Sequence, residues 1–396
     1  MNRIITIIYI IFISACSSNK FQKVDDIETI SVDVHNTSLD ASIFIEKIEV
    51  VPLETNDSSL INSYKKIEYD KDMDVYAIYD KEQIVHTFRG DGTYIANSRK
   101  MMGKGPKEYY MAVDMKFNPY LQGIDLLNPY GVIYTYDLTF DFISKKQIKP
   151  EFFFDALMAL DNNNYIFTTP SIWTNQEISF VNVETKQQNI AQYDGTISSG
   201  NTMEKECFYK NGNNIYFVPK GINYYFYRVD PKNYKLIPII YLDFGDAEIC
   251  EDDLPGVAVG ERTQKEGIEP DKKRDDLLKG MQERSQYIRD NNFIVPLIKF
   301  FNDDYIYIYF AKSRKGFGGH YIYNRKSKKG FLLNEGKPLI MQPCFGITDN
   351  VLMAICDAYY APRLVDTALM SQIEREKLKQ LNEEDNPVIL KYYLRK

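Results

Sequence analysis

Asp74-Val75-Tyr76-Ala77-Ile78-Tyr79-Asp80, then Gln83-Ile84-Val85-His86-Thr87-Phe88, then Gly90-Asp91-Gly92-Thr93-Tyr94-Ile95-Ala96-Asn97-Ser98 is the stretch that decides the fold. Apolar and aromatic residues fill runs short enough to be strands, and Gly, Asp and Gln mark the turns between them. The same signature, a tight polar turn followed by a strand, returns at Gly123-Ile124-Asp125, Asn164-Tyr165-Ile166, Asn214-Ile215-Tyr216, Asp304-Tyr305-Ile306 and Asn350-Val351-Leu352. The marks fall roughly forty to fifty residues apart, the spacing of propeller blades, except for one gap of about ninety. Treating 246–291 as an insertion restores the period. Six marks predict an all-β, six-bladed β-propeller. The sixth unit is one strand short, and the surplus run Ile45 to Leu53 is expected to complete it, closing the ring without a large unpaired edge.

Downstream of these strands lies Gly103-Lys104-Gly105-Pro106-Lys107-Glu108-Tyr109, followed by Val113-Asp114. This corner resembles the blade junction of NHL-type β-propellers, with Lys107 where a glycine is usual. Val51-Pro52-Leu53-Glu54-Thr55 and Asn386-Pro387-Val388-Ile389-Leu390 are similar to the two ends of six-bladed propeller lipoproteins of Gram-negative bacteria. The resemblance implies a propeller over nearly the whole mature chain and no particular reaction. A phosphate-cradle reading of the corner lacks the Lys-Ser/Thr pair and the following helix, so a structural turn is expected.

Met1 to Cys16 carries one positive charge at Arg3, an apolar run from Ile4 to Ile13 and then Ser14-Ala15-Cys16. That is a secretory signal (1–15) ending in a lipobox, with Cys16 as the acylated residue; an uncleaved anchor helix is the alternative. Two or three acyl chains hold a protein stably at a membrane where one does not. Residues 16–41 are polar and weakly patterned and read as a tether, with the propeller at 42–396. The expected address is the cell envelope, as an outer-membrane lipoprotein facing the periplasm.

Thirty-one tyrosines and a single tryptophan suit a strand-rich protein. A net charge of -7 argues against nucleic acid, which needs basic patches to displace counterions. Cys207, Cys250, Cys344 and Cys356 read as singly buried thiols, Cys344 with Cys356 being the pair nearest to a disulfide. Helical stripes are expected in 271–290 (Leu277, Leu278, Met281, Ile288, capped by Asp271) and 366–382 (Leu369, Met370, Ile373, Leu381, capped by Asp366). The first is expected to dock on one face of the disc, outside the blade core.

Chemistry is sparse. His35, His86 and His320 have no second ligand at metal spacing, and no hydrolase elbow, phosphate loop or dinucleotide fingerprint occurs, so neither a metal nor a cofactor is expected. Gly316-Phe317-Gly318-Gly319-His320 reads as a hairpin loop with a ligand-contacting loop as its alternative. Trp173, in a loop context, is the candidate ring for a sugar or peptide, beside Tyr224-Tyr225-Phe226-Tyr227 and Tyr359-Tyr360. Asp125, Asp155, Asp246, Asp252 and Asp253 are the carboxylates available for acid/base or calcium chemistry. The expected function is a membrane-anchored binding module for a glycan, peptide or envelope protein. The alternative is a periplasmic lyase or hydrolase using carboxylates with Arg262 or Arg363.

Overall fold

The structure is a computed structural model describing residues 27–38, 40–150, 153–169, 177–193, 206–250, 253–255, 270–291, 293–312, 317–334 and 341–396. Six sheets form six blades. Blade 1 is Tyr64–Asp70, Val75–Asp80, Val85–Arg89 and Tyr94–Asn97; blade 2 is Asp114–Asn118, Gly123–Asn128, Val132–Tyr136 and Phe142–Gln147. Blade 3 is Ala156–Ala159, Asn164–Thr168, Glu177–Asn182 and Gln188–Gln192; blade 4 is Phe208–Asn211, Asn214–Phe217, Tyr225–Asp230 and Lys235–Asp243. Blade 5 is Ile294–Phe301, Tyr305–Lys312, Phe317–Asn324 and Lys329–Asn334; blade 6 is Cys344–Thr348, Val351–Cys356 and Val388–Leu394, completed by Ile45–Pro52.

Every repeat mark in the sequence therefore announces the second strand of a blade. That strand is sandwiched between neighbouring blades, so both of its faces are buried: all six residues of Val75–Asp80 are. An outermost strand such as Phe142–Gln147 instead alternates half-buried with exposed, as a strand with one wet face does. Gly92 shows why the turn residues are what they are. Its φ is +92°, and an added Cβ would lie 2.1 Å from the Pro52 carbonyl oxygen, where the closing strand runs past.

The ring closes as the sequence predicts, with Ile45–Pro52 antiparallel to Val388–Leu394. Asn386 fastens the seam. Its side-chain oxygen accepts from Ile61 N at 2.8 Å, and its amide donates to the carbonyls of Glu54 at 2.7 Å and Ser59 at 3.0 Å. The residue is 1% exposed, so Asn386→Ala strands these three backbone groups away from water. Chemical denaturation of this variant is expected to show a loss of about 2–3 kcal/mol, with an unchanged slope against denaturant.

Four expectations change. The stretch read as a tether is part of the propeller from residue 28 onward: Glu28–Ser31 pairs in parallel with the outermost strand of blade 4, and Thr37–Ser38 with that of blade 5. Ile30, Val32 and Val34 are buried there, an apolar alternation too short to stand out in a polar segment. Helix α1 (Pro270–Asp290) contains Asp271 in its first turn instead of being capped by it. Of its expected stripe Ile288 is buried; the side chains of Leu277, Leu278 and Met281 lie outside the described residues. The insertion also reaches the core, since Ile249, Leu254 and Ile288 join the main apolar cluster. Asp366 caps a short 3-10 turn (Thr367–Leu369), and Ser371 caps helix α2 (Gln372–Gln380). Ile373, expected on the buried stripe, is 71% exposed, while Glu374 and Leu378 face inward. The Glu374 carboxylate accepts from Val50 N at 2.6 Å and Lys377 donates to Val50 O at 3.3 Å, so α2 caps the outer edge of the closing strand with side chains in place of another strand.

The four cysteines are buried free thiols, Cys344 and Cys356 included. The glycine corner is a structural turn. The Glu108 carboxylate accepts from Gly105 N at 2.9 Å, filling the position an anion would take, and a Cβ on Gly103 would lie 2.0 Å from it.

Blade connectivity makes the two faces of the disc unequal. The links from first to second strand, and from third to fourth within blades 1–5, take only two to five residues and lie on one face. The other face carries the links from second to third strand, among them the 357–387 excursion of blade 6 with α2, and the connections into the next blade, including the one with α1.

Candidate functional site

The first strand of each blade lines the axis, and there the chain places charge where a propeller needs only backbone. Lys66 and Glu68 come from blade 1, Asp114 and Lys116 from blade 2, and Glu206 from the residue pair leading into blade 4. The Lys66 ammonium lies 2.7 Å from Asp114, 3.0 Å from Glu68 and 3.0 Å from Glu206. Lys116 lies 2.9 Å from Glu68 and 2.7 Å from Glu206, and donates to the Phe208 carbonyl at 2.7 Å. Glu206 thus bridges the axis to blades that are not its neighbours. The remaining carboxylate oxygens are also used: Asp114 accepts from Leu157 N at 2.9 Å and Glu68 from Phe117 N at 3.1 Å.

Environment drives the carboxylates of this cluster apart. Burial raises the pKa of Glu206, but Lys116, Lys66 and a hydrogen bond from Glu68 outweigh it and bring it down to about 2. For Glu68 burial prevails over the same two lysines, and its pKa is raised. Burial pulls the Lys66 ammonium down, yet Asp114, Glu206 and Glu68 together hold its pKa well above the ordinary lysine value. The result is a pair of hydrogen-bonded carboxyl groups between two cations, one with its pKa raised and the other with its pKa lowered.

Against this cluster, on the face bearing the long connections, lies a cavity of about 470 Å³. Its charged rim is Lys65, Lys66, Lys220, Lys299 and Glu206, and its walls are mainly apolar, with Leu297, Ile298, Phe345 and Ile355 prominent. Lys220 projects from the link between the second and third strands of blade 4 and pairs with Asp155 at 3.2 Å, each about one quarter exposed. Asp155 also accepts from Thr168 Oγ1 at 2.5 Å, which orients it. Burial raises the Cys207 thiol beneath Lys220 to about 12, so it is inert apolar filling.

Sequence-predicted contacts fall elsewhere. His320 is 1% exposed, inside the third strand of blade 5 and not in a hairpin loop. Its Nδ1 is 3.0 Å from the Tyr307 hydroxyl, and burial lowers its pKa to about 3, so it stays neutral. Tyr359 and Arg363 do meet, the guanidinium 4.7 Å above the ring, but on the exposed start of the blade 6 excursion and not in the lining of the cavity. Trp173, Arg262 and Cys16 lie outside the described residues. Tyr224 to Tyr227 are buried packing. Among the named carboxylates, Asp155 reaches the axis; Asp125 is buried within blade 2 against Thr135 and Asn118, and Asp253 caps Cys250 N.

The domain of unknown function DUF4934 matches residues 27–393, from the first blade-edge strand into the C-terminal strand Val388–Leu394. The chain belongs to this family. A crystal structure from Bacteroides fragilis NCTC 9343, of a protein whose export is inferred, is similar at 16% identity with a TM-score of 0.69, covering 93% of this chain and 100% of that one. This establishes the shared fold. The Cps50 (Swd1) propeller of Myceliophthora thermophila (6% identity, TM-score 0.37, 69% and 86% covered) and the Neurospora crassa Pan2 WD40 domain (9%, 0.35, 68% and 64%) are more distant and carry no argument here. No curated protein matches the sequence.

Lys66, Glu68, Asp114, Lys116, Glu206 and Lys220 escape a motif search because they come from three blades, and even the contact between consecutive blades, Lys66 with Asp114, spans 48 positions. A signal does exist in this DUF4934 chain. Asp114 and Asp155 each stand nine positions before the second strand of successive blades, so aligning the repeats on those strands superposes two acids, with Glu206 one position out of that column in the next blade. Such a column has no packing reason to be acidic.

Proposed function

We propose that this protein is a non-enzymatic binding module of the cell envelope, and that its site is the axial cavity. One observation carries the reading: a cavity of about 470 Å³, within the size of small-molecule sites, opens on the face with the long connections and is rimmed by charges from separate blades. The lyase or hydrolase alternative draws on the divergent pKa values of Glu68 and Glu206, which resemble an acid/base pair. Both carboxylates are, however, engaged by Lys66 and Lys116, and Glu68 does not line the cavity, so their chemistry reads as an ionic plug.

The address is part of the same proposal. Cys16 carries the lipid anchor, the NHL-like blade junction and the lipoprotein-like chain ends agree with it, and the inferred export of the Bacteroides fragilis protein is compatible with an envelope location. No helix among the described residues is long and apolar enough to cross a membrane. Cys16→Ser is expected to move the protein from the membrane to the soluble fraction; a processed variant that still sediments with membranes would remove the anchor from the proposal. Binding is tested by native mass spectrometry of full-length protein purified from its own membranes. A stoichiometric small-molecule adduct is expected. Repeated preparations without one, and without thermal stabilisation by envelope extract, would overturn the reading.

A further inference from the structure

The cavity wall is chemically one-sided. Four lysines line it and a single acid does, among the described residues, while Asp114, Glu68 and Asp155, the carboxylates that pair with Lys66 and Lys220, are not part of the lining. Glu206, the acid that does line it, is held by Lys66 and Lys116 together. A cationic guest would find its one counter-charge already engaged twice.

The lysines differ in what they can still give. An ammonium has three N–H donors. Lys66 directs its donors to Asp114, Glu68 and Glu206. Among the described residues Lys220 meets only Asp155, at 3.2 Å to the carboxylate and a long 3.5 Å to the carbonyl, and its side chain is 26% exposed. At least one donor therefore has no partner among the described residues, on a side chain that lines the cavity. Gln342 also lines the cavity and offers a neutral amide. Much of the remaining lining is apolar, with Leu297, Ile298, Phe345 and Ile355 prominent, and Tyr64 supplies its one hydroxyl among the described residues. A sugar would leave its hydroxyls against that surface without partners, a cost of roughly 1–3 kcal/mol each; an acyl or aromatic body would not.

Resting on the reading of this cavity as a binding site, we infer that it takes a small amphipathic carboxylate. The carboxylate of an acyl or aromatic acid accepts from Lys220, and its apolar body lies against Leu297, Ile298, Phe345 and Ile355. Displacement of Asp155 is not required, because the guest uses the donor that Asp155 leaves free.

Calorimetric titration of the full-length protein with decanoate, decanol and decylamine, all below micelle formation, tests this. Decanoate is expected to bind, with the alcohol and the amine each at least about tenfold weaker, the size of one charge-assisted hydrogen bond. Lys220→Met is expected to weaken decanoate about 10- to 100-fold and to leave decanol unchanged. Since that variant deprives Asp155 of its cation, the double variant Lys220→Met/Asp155→Asn is titrated alongside, with a cooperative melt as proof of folding. Equal affinity for decanol and decanoate, or full decanoate affinity in the folded double variant, overturns the inference. A native adduct that is neutral or cationic and is not displaced by decanoate overturns it too, but leaves the binding reading standing; an empty cavity in both experiments removes both.

Discussion

Removal of Val388–Lys396 is expected to abolish cooperative folding of the whole chain instead of fraying one end. The segment supplies the strand between Val351–Cys356 and the N-terminal Ile45–Pro52, so the closing strand loses its only strand neighbour in blade 6 along with it. Val388, Ile389, Leu390, Tyr392 and Leu394 are all fully buried. At about 1.5–3 kcal/mol for each large apolar side chain, their burial alone matches the 5–15 kcal/mol that stabilises a typical domain. The truncated protein is expected to show no sharp thermal transition by circular dichroism. A melt within a few degrees of the full chain would show the C-terminal strand to be dispensable and the ring to be closed elsewhere.

Lys66→Met should cost about 3–5 kcal/mol, because it leaves Asp114, Glu68 and Glu206 in a buried site with one cation fewer. For a chain of this size the melting temperature should fall on the order of 5–10 °C. The pH dependence separates this from simple loss of packing. Glu206 has a folded pKa depressed to about 2 against an ordinary 4.5, so the stability it contributes is complete above the ordinary value and is lost as the pH falls from there towards 2. Removing Lys66 raises the folded value, and the loss on acidification should shrink. A variant whose destabilisation is the same at pH 7 and pH 3 would indicate that the lysine acts through its methylenes only.

How much of this is legible in the sequence follows from the range of the forces involved. Blade number, strand order and closure are readable because each blade's second strand is buried on both faces and each turn before it has a local chemistry; Asp74, Gln122 and Asp349 adopt left-handed backbone just ahead of those strands. Blade-edge strands such as Glu28–Ser31 are not readable, since an edge strand shows only one buried side chain in four and looks like a polar linker. The site is less legible still. Lys66 and Glu206 are 140 positions apart and meet only because the ring brings blades 1 and 4 across the axis. The aromatic run Tyr224 to Tyr227 is prominent in the sequence because it is buried packing, and His320 lies deep within a blade.

The path of the N-terminal segment has a mechanical consequence. From residue 28 the chain is laid along the outer edge of blade 4, then blade 5, and only then enters blade 6 as the closing strand. A pull on the N-terminal end reaches those contacts in that order. The four-residue and two-residue edge strands would detach first, releasing about 17 residues, or on the order of 60 Å of extended chain, before any load reached the seam of the ring. The rim strands thus act as a reeled-in reserve of length, a fuse that gives way while the disc and its axial cavity keep their shape.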